Sequence, residues 1–199
     1  MTRSAGIDVG GTKCLAVVVD DSGDVVAHER VPTPVADELA DTLVRLLASL
    51  GGFDTVGVGV PGLITPQGVI RSSPNLSSAV ELPLGELLRS RLSVPVVIDN
   101  DATAAAYGEW SVGAGQGSSD MWMVTLGTGI GGGLVAGGQV QRGAHGFAGE
   151  IGHIVVEIDG QPCPCGLRGC WERYASGSAL SRLAGGEPGA SVVDRARRG

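Results

Sequence analysis

Three observations predict an α/β fold built in two halves. Strand and helix signals follow the order β-β-β-α-β-α-β-α and then return to hairpins. The opening Asp8-Val9-Gly10-Gly11-Thr12 is echoed by Thr125-Leu126-Gly127-Thr128-Gly129, and each copy places Gly and Thr just after a strand. Between them, residues 113–119 are rich in Gly and Ser and form the candidate linker. The expected organisation is an N-terminal α/β domain at 1–112, the linker at 113–119, and a second α/β domain at 120–199.

Each element has its own local signal. Ile7-Asp8 leads into the Gly10-Gly11 turn, and the apolar run at 14–19 reads as a buried strand. Asp21-Ser22-Gly23-Asp24 is a hairpin turn that returns through a strand at 25–31. Pro32 and Pro34 interrupt the chain before a helix at 35–50, where Leu39, Leu43, Leu46, Leu47 and Leu50 share one face. Residues 55–60 alternate Val and Gly, a strand ending at Pro61-Gly62. A helix at 82–92 and a short strand at 95–98 follow, and Asp99-Asn100-Asp101 opens an Ala-rich helix at 102–110. Beyond the linker come a strand at 121–126, a glycine run, a strand near 133–136 and a Gly137-Gly138 turn into 139–141. A last helix is expected at 191–198.

Composition narrows the classes. Glycine supplies 34 of 199 residues, about 17% against a usual share of roughly 7%. A hydrophobic content of 43% excludes a disordered glycine-rich tract, and no Gly-X-Y period supports a collagen-like chain. The net charge of −7 argues against a nucleic-acid partner. Lys13 is the only lysine. No apolar run has the length of a signal-peptide core or of a membrane span, so a cytoplasmic protein without membrane contact is expected.

Four groups of residues carry chemistry. Asp8-x-Gly10-Gly11-Thr12-Lys13 offers backbone N–H groups, a hydroxyl and an ammonium to an anion, plus a carboxylate suited to hydrated Mg²⁺. A plain hairpin turn accounts for the same glycines. Gly127-x-Gly129-x-x-Gly132 matches the dinucleotide fingerprint formally, but a strand follows it where a helix is required. No P-loop pattern occurs. Asp99-Asn100-Asp101 supplies carboxylates and an amide at a helix start, either as caps or as catalytic groups. His153-x₉-Cys163-x-Cys165-x₄-Cys170 offers three thiolates and one imidazole, the set of a closed structural Zn²⁺ site, with buried free cysteines as the plainer alternative. Glu150 and Glu172 bracket that loop, as sugar-hydroxyl acceptors or as solvent-facing acids.

Asp8-Val-Gly-Gly-Thr-Lys13, Asn100-Asp101-Ala102, Leu126-Gly-Thr-Gly-Ile-Gly-Gly-Gly133, Gly149-Glu-Ile-Gly-His153 and Cys163-Pro-Cys-Gly-Leu-Arg-Gly-Cys-Trp-Glu172 together resemble the ROK family of repressors, open reading frames and sugar kinases. The segments occur in that family's order and span nearly the whole chain. The resemblance implies an actin-like, ribonuclease H-like two-domain ATPase fold with a zinc-clamped loop. It implies an ATP-dependent hexose kinase of the glucokinase type using Mg²⁺. By position, Asp8, Gly10, Gly11, Thr12 and Lys13 would meet phosphate first, and Gly127, Thr128 and Gly129 would form the second phosphate motif. Pro61, Gly62, Asn100, Asp101, Glu150, His153 and Glu172 would bind sugar, with Asp101 as catalytic base. His153, Cys163, Cys165 and Cys170 would hold Zn²⁺.

The resemblance leaves other readings open: a kinase for another hexose or an N-acetylhexosamine, a homo-oligomer, a sugar-sensing module or a non-catalytic fragment. Family repressors carry a helix-turn-helix ahead of the first phosphate motif, which here begins at Asp8. Family members also continue past the zinc segment into an adenosine-binding turn and a closing helix. The expectation is therefore a second domain that is incomplete and roughly the first two-thirds of a larger kinase.

Overall fold

The computed structural model describes residues 2–76 and 78–198. The chain divides into two compact units, Met1–Ala105 with Arg142–Phe147, and Ala106–Gln141 with Ala148–Gly199.

The first unit is built on a five-stranded sheet. Its strands are β1 (Ser4–Val9), β2 (Lys13–Val19), β3 (Val25–Pro32), β4 (Thr55–Val60) and β7 (Val96–Asn100), in the order β3-β2-β1-β4-β7. The β1-β2 and β2-β3 pairs are antiparallel, as hairpins allow, while β1-β4 and β4-β7 are parallel. The period of two is clean. Ala5, Ile7 and Val9 of β1, Cys14, Ala16 and Val18 of β2, and Val56, Val58 and Val60 of β4 are all buried.

Helix α1 (Ala36–Ser49) buries Leu39, Leu43, Leu46 and Leu47, the leucine face expected from the spacing. Each such side chain contributes roughly 2 kcal/mol. The Val/Gly alternation of β4 divides the sheet: its valines join the core, and on the other face Gly59 comes close to Asp101 while Gly57 is exposed.

The second helix and a small hairpin depart from the sequence reading. Helix α2 spans Leu84–Arg89 rather than 82–92. Leu82 exchanges backbone hydrogen bonds with Ile70 (2.9 and 3.0 Å), and Pro83 stands as the N-cap, so the helix begins only at Leu84. Ile70 belongs to a small hairpin, β5 (Leu63–Ile64) and β6 (Ile70–Ser72), too short to stand out in the sequence.

The boundary between units falls within α3 (Asp101–Val112), ahead of the Gly/Ser segment at 113–119. A continuous helix carries the chain from one unit to the next. Residues Arg142–Phe147 return to the first unit, although the sequence places them in the second half.

The second unit holds β8 (Met121–Leu126), β9 (Ile130–Ala136) and β10 (Gln139–Val140) in the order β10-β9-β8, all antiparallel. β9 starts at Ile130, so the glycine run lies inside a strand: Gly131, Gly132 and Gly133 pair with Thr125, Val124 and Met123. A 3-10 turn at Ile151–His153 leads into the cysteine loop. Helices α4 (Glu172–Ala175), α5 (Gly177–Leu183) and α6 (Gly189–Arg198) complete the unit. The start of α6 precedes the expected 191, and α4 and α5 have no clear sequence signal.

Candidate functional site

In the first unit the candidate residues gather at the carboxyl edge of the parallel strands, where open α/β sheets bind ligands. Asp8 pairs with Gly59, and Gly59 with Asp99, so these three stand in one row across β1, β4 and β7. Asn100 ends β7 beside Val60. Its Oδ1 accepts the Thr103 N–H (2.9 Å), capping α3, and its Nδ2 donates to the Gly62 carbonyl (3.2 Å). Since an amide nitrogen carries two donors, one remains for a ligand. Pro61-Gly62 is thereby fastened to the helix start.

Asp101 is the first residue of α3, and its Oδ1 accepts the Ala102 N–H (2.9 Å). Among the described residues Oδ2 accepts no hydrogen bond. A Cβ at Gly59 would lie 3.3 Å from the Asp101 Cα, so glycine at 59 lets the catalytic candidate sit close over the sheet. Desolvation raises the Asp8 carboxyl above its ordinary range, and the neighbouring Asp101 carboxylate raises it further, while Lys13 pulls it down. Asp8 and Asp101 thus act on each other as like charges.

Asp99 has a different duty. Its Oδ2 receives Arg142 through Nε and a terminal nitrogen, both at 2.8 Å, and its Oδ1 accepts the Asn100 N–H (3.0 Å). With both oxygens committed, Asp99 holds the Arg142–Phe147 segment to β7 and leaves Asp101 as the candidate base. Arg142 is not legible in the sequence: a lone cation in a glycine-rich loop has no spacing signal.

The first glycine turn joins β1 to β2, with the Gly10 N–H donating to the Lys13 carbonyl (2.9 Å). Thr33 braces it from the end of β3: its Oγ1 donates to the Gly10 carbonyl (2.6 Å) and its N–H to the Thr12 carbonyl (3.1 Å). Gly11, Thr12 and Lys13 are exposed. Thr33, between two prolines, is a second residue that the sequence does not single out.

In the second unit Gly127, Thr128 and Gly129 form the β8-β9 turn, closed by the Gly127 N–H to the Gly129 carbonyl (3.0 Å). His153, Cys163, Cys165 and Cys170 converge, with their donor atoms all within 4.8 Å of one another, a set able to hold a metal ion. Cys163 Sγ lies 3.6 Å from His153 Nδ1, and Cys165 Sγ lies 3.6 Å from Cys170 Sγ. The cysteines are free thiols. Burial, and then the adjoining Cys165 and Cys163, push the Cys170 thiol up to about 12. At Cys165 burial acts upward too, but hydrogen bonds from the Leu167 backbone and the neighbouring thiols bring it below its ordinary value.

His153 turns Nδ1 toward the thiols and Nε2 toward Glu150 Oε2, 3.9 Å away, so its two nitrogens can serve a metal and a ligand separately. Glu172, expected in a sugar pocket, places Oε2 on the Ile130 N–H (2.9 Å).

A family model described as ROK family matches residues 4–195. The chain belongs to the ROK family. A glucokinase from Streptomyces coelicolor is 42% identical over 189 residues, which cover 92% of this chain and 59% of that protein. An N-acetylmannosamine kinase from Vibrio cholerae is 37% identical over 185 residues, covering 90% and 64%. The crystal structure of a ROK family glucokinase from Streptomyces griseus in complex with glucose and AMPPNP superposes with a TM-score of 0.87 at 37% identity, covering 99% of this chain and 72% of that one. The ROK chain has the actin-like ATPase fold of these neighbours and spans about three-fifths of the Streptomyces coelicolor glucokinase's length. Among the described residues no helix is long and apolar enough to cross a membrane.

Proposed function

We propose that this ROK protein acts in the phosphorylation of a hexose by ATP, with glucose as the first candidate substrate. The observation that carries the reading is Asp101. It is a carboxylate at the start of α3, on the carboxyl edge of three parallel strands, with one oxygen uncommitted and Asp8 close enough to feel its charge. Relatives named glucokinase support the donor and acceptor classes.

In the proposed reaction Asp101 orients a sugar hydroxyl and accepts its proton as the oxygen attacks the γ-phosphorus and the bond to ADP breaks. Asn100, Pro61, Gly62, Glu150, His153 and Glu172 bind the sugar. The N–H groups of Gly11, Thr12, Thr128 and Gly129, the two threonine hydroxyls and the Lys13 ammonium take up phosphate charge, while the Gly10 and Gly127 N–H groups close the two turns that present them. Asp8, whose carboxyl is crowded by Asp101, suits a hydrated Mg²⁺, which when bound neutralises charge on the transferring phosphates.

The four-donor cluster is assigned to Zn²⁺. With Zn–S near 2.3 Å and Zn–N near 2.0 Å, tetrahedral donors lie about 3.5–3.8 Å apart, and the two separations of 3.6 Å fit. Four protein ligands leave no open position, so the ion stabilises the loop and takes no part in the chemistry. Clustered cysteines used as metal ligands suit a reducing cytoplasm.

A coupled assay of the purified chain with ATP and Mg²⁺ against glucose, fructose, mannose, N-acetylglucosamine and N-acetylmannosamine tests the reading. ADP formation dependent on one hexose is expected. A preference for N-acetylmannosamine would favour the second reading, which the Vibrio cholerae relative supports. No turnover with any sugar would remove the kinase assignment from this chain.

A further inference from the structure

We infer that Glu172 is a positioning residue for the second glycine turn, holding the backbone at 127–130 in the shape that meets phosphate. The functional consequence rests on the kinase reading; the bracing itself does not.

A Gly-Thr-Gly turn cannot hold one shape alone, because glycine has the most conformational freedom to lose. Among the described residues its internal closure is the single bond from Gly127 N–H to the Gly129 carbonyl. External holds reach it from one short segment that begins just after Cys170. The Gly177 N–H donates to the Gly127 carbonyl (2.8 Å), the Ser178 N–H donates to the Thr128 carbonyl (3.2 Å), and Glu172 Oε2 accepts the Ile130 N–H (2.9 Å). The buried Ser176 sets the start of α5 by accepting the Ala179 N–H (3.1 Å), which fixes the two backbone donors beside it.

Glu172 is the one side chain among these three holds, and an ionised acceptor makes the stronger bond. Its fit against the turn is close. A Cβ added at Gly129 would overlap Glu172 Oε2 and push the carboxylate from the place where it accepts the Ile130 N–H. One oxygen is spent on the turn, which leaves Oε1 for a sugar hydroxyl. Glu172 can therefore report sugar binding to the phosphate turn.

The test is amide hydrogen exchange on the intact purified chain, without sugar or nucleotide. Glu172→Ala is expected to speed exchange at Ile130 by at least about tenfold, the factor equivalent to ~1.4 kcal/mol, with residues 10–14 unchanged. Glu172→Gln, whose amide oxygen can accept the same bond, restores most of the protection. In kinetics, Glu172→Ala raises KM for ATP as well as for sugar, whereas a pure sugar ligand would raise only the latter. Gly129→Ala provides a second route: it displaces the carboxylate while leaving Glu172 in the chain, and the same rise at Ile130 is expected even where Glu172→Ala fails to fold. Unchanged exchange at Ile130 in the folded variants would overturn the proposal. A wild-type chain without activity on any hexose would count against the kinase reading alone, since the exchange result stands apart from it.

Discussion

The two glycine turns look alike in sequence and are supported in different ways. The first sits between β1 and β2, strands registered from Ser4↔Val19 to Val9↔Cys14, and needs only Thr33 from the adjacent strand end. The second closes a three-stranded sheet and is gripped by the segment that follows the cluster of His153 and three cysteines. The first turn's shape is thus a property of its own sheet. The second is held by a segment that follows a loop rich in Pro and Gly. In that loop Ile154, Val155, Val156, Ile158 and Leu167 stay exposed and form no core, so under the zinc proposal it would rely on its four donors.

Metal removal puts the largest strain on that contrast. Elemental analysis is expected to find one Zn²⁺ per chain. Cys170→Ala or exhaustive chelation should abolish it, with exchange rising across 127–131 and 153–175 while 4–19 keeps its protection. Structural zinc sites contribute on the order of 10 kcal/mol to their folds, so the effect should exceed that of any single side chain in either turn. Equal loss of protection in both turns would erase the distinction between them.

Asp101→Asn comes next. It belongs to the region that the metal does not brace, so it should remove chemistry and leave structure intact. A fall in kcat of about 10²–10⁴ is expected from loss of a general base, with glucose affinity by calorimetry nearly unchanged. Turnover close to wild type would take Asp101 out of the role.

Legibility in the sequence follows the same division. The cysteine cluster stands out because three thiols within eight residues make a ligand set, where core cysteines would be scattered among apolar runs as Cys14 is. The glycine turns stand out because Gly and Thr follow strands twice. The leucine face of α1 and the Val/Gly alternation of β4 are equally plain, since each is a local period. The braces are not. Thr33 acts on a carbonyl 23 residues away, Glu172 on an amide 42 residues away, and Arg142 on a carboxylate 43 residues away. No window of sequence contains both partners. The start of α2 is displaced for the same reason: Leu82 has helical neighbours after it, but its backbone is taken by Ile70.

Thr33→Val sharpens the comparison from the other side. It removes the hydroxyl that bonds the Gly10 carbonyl and keeps the shape of the side chain. A neutral hydrogen bond of this kind is worth about 1 kcal/mol, so a rise of a few-fold in KM for ATP is expected, with faster exchange at 10–13. Exchange at 127–130 should not change. A response in the second turn would mean that the two supports are coupled.

The smallest effect is electrostatic and tests the Asp8–Asp101 repulsion. Desolvation and then Asp101 raise the Asp8 carboxyl in the folded chain above its unfolded value. Between those two values the folded state holds more proton than the unfolded one, so stability falls as pH rises through the window. Above it the ionised Asp8 is a standing cost. Asp8→Asn should therefore raise Tm slightly at neutral pH, and the gain should vanish below the ordinary carboxylate range, where both forms are uncharged. Thermal melts from pH 3 to pH 8, without Mg²⁺, provide the measurement. The wild-type Asp8 should lose the part of its cost that comes from Asp101 when Asp101→Asn is added, so the double variant gains less than the two single changes summed. Strict additivity would mean that desolvation alone shifts Asp8 and that the two carboxylates do not share one cation-binding edge.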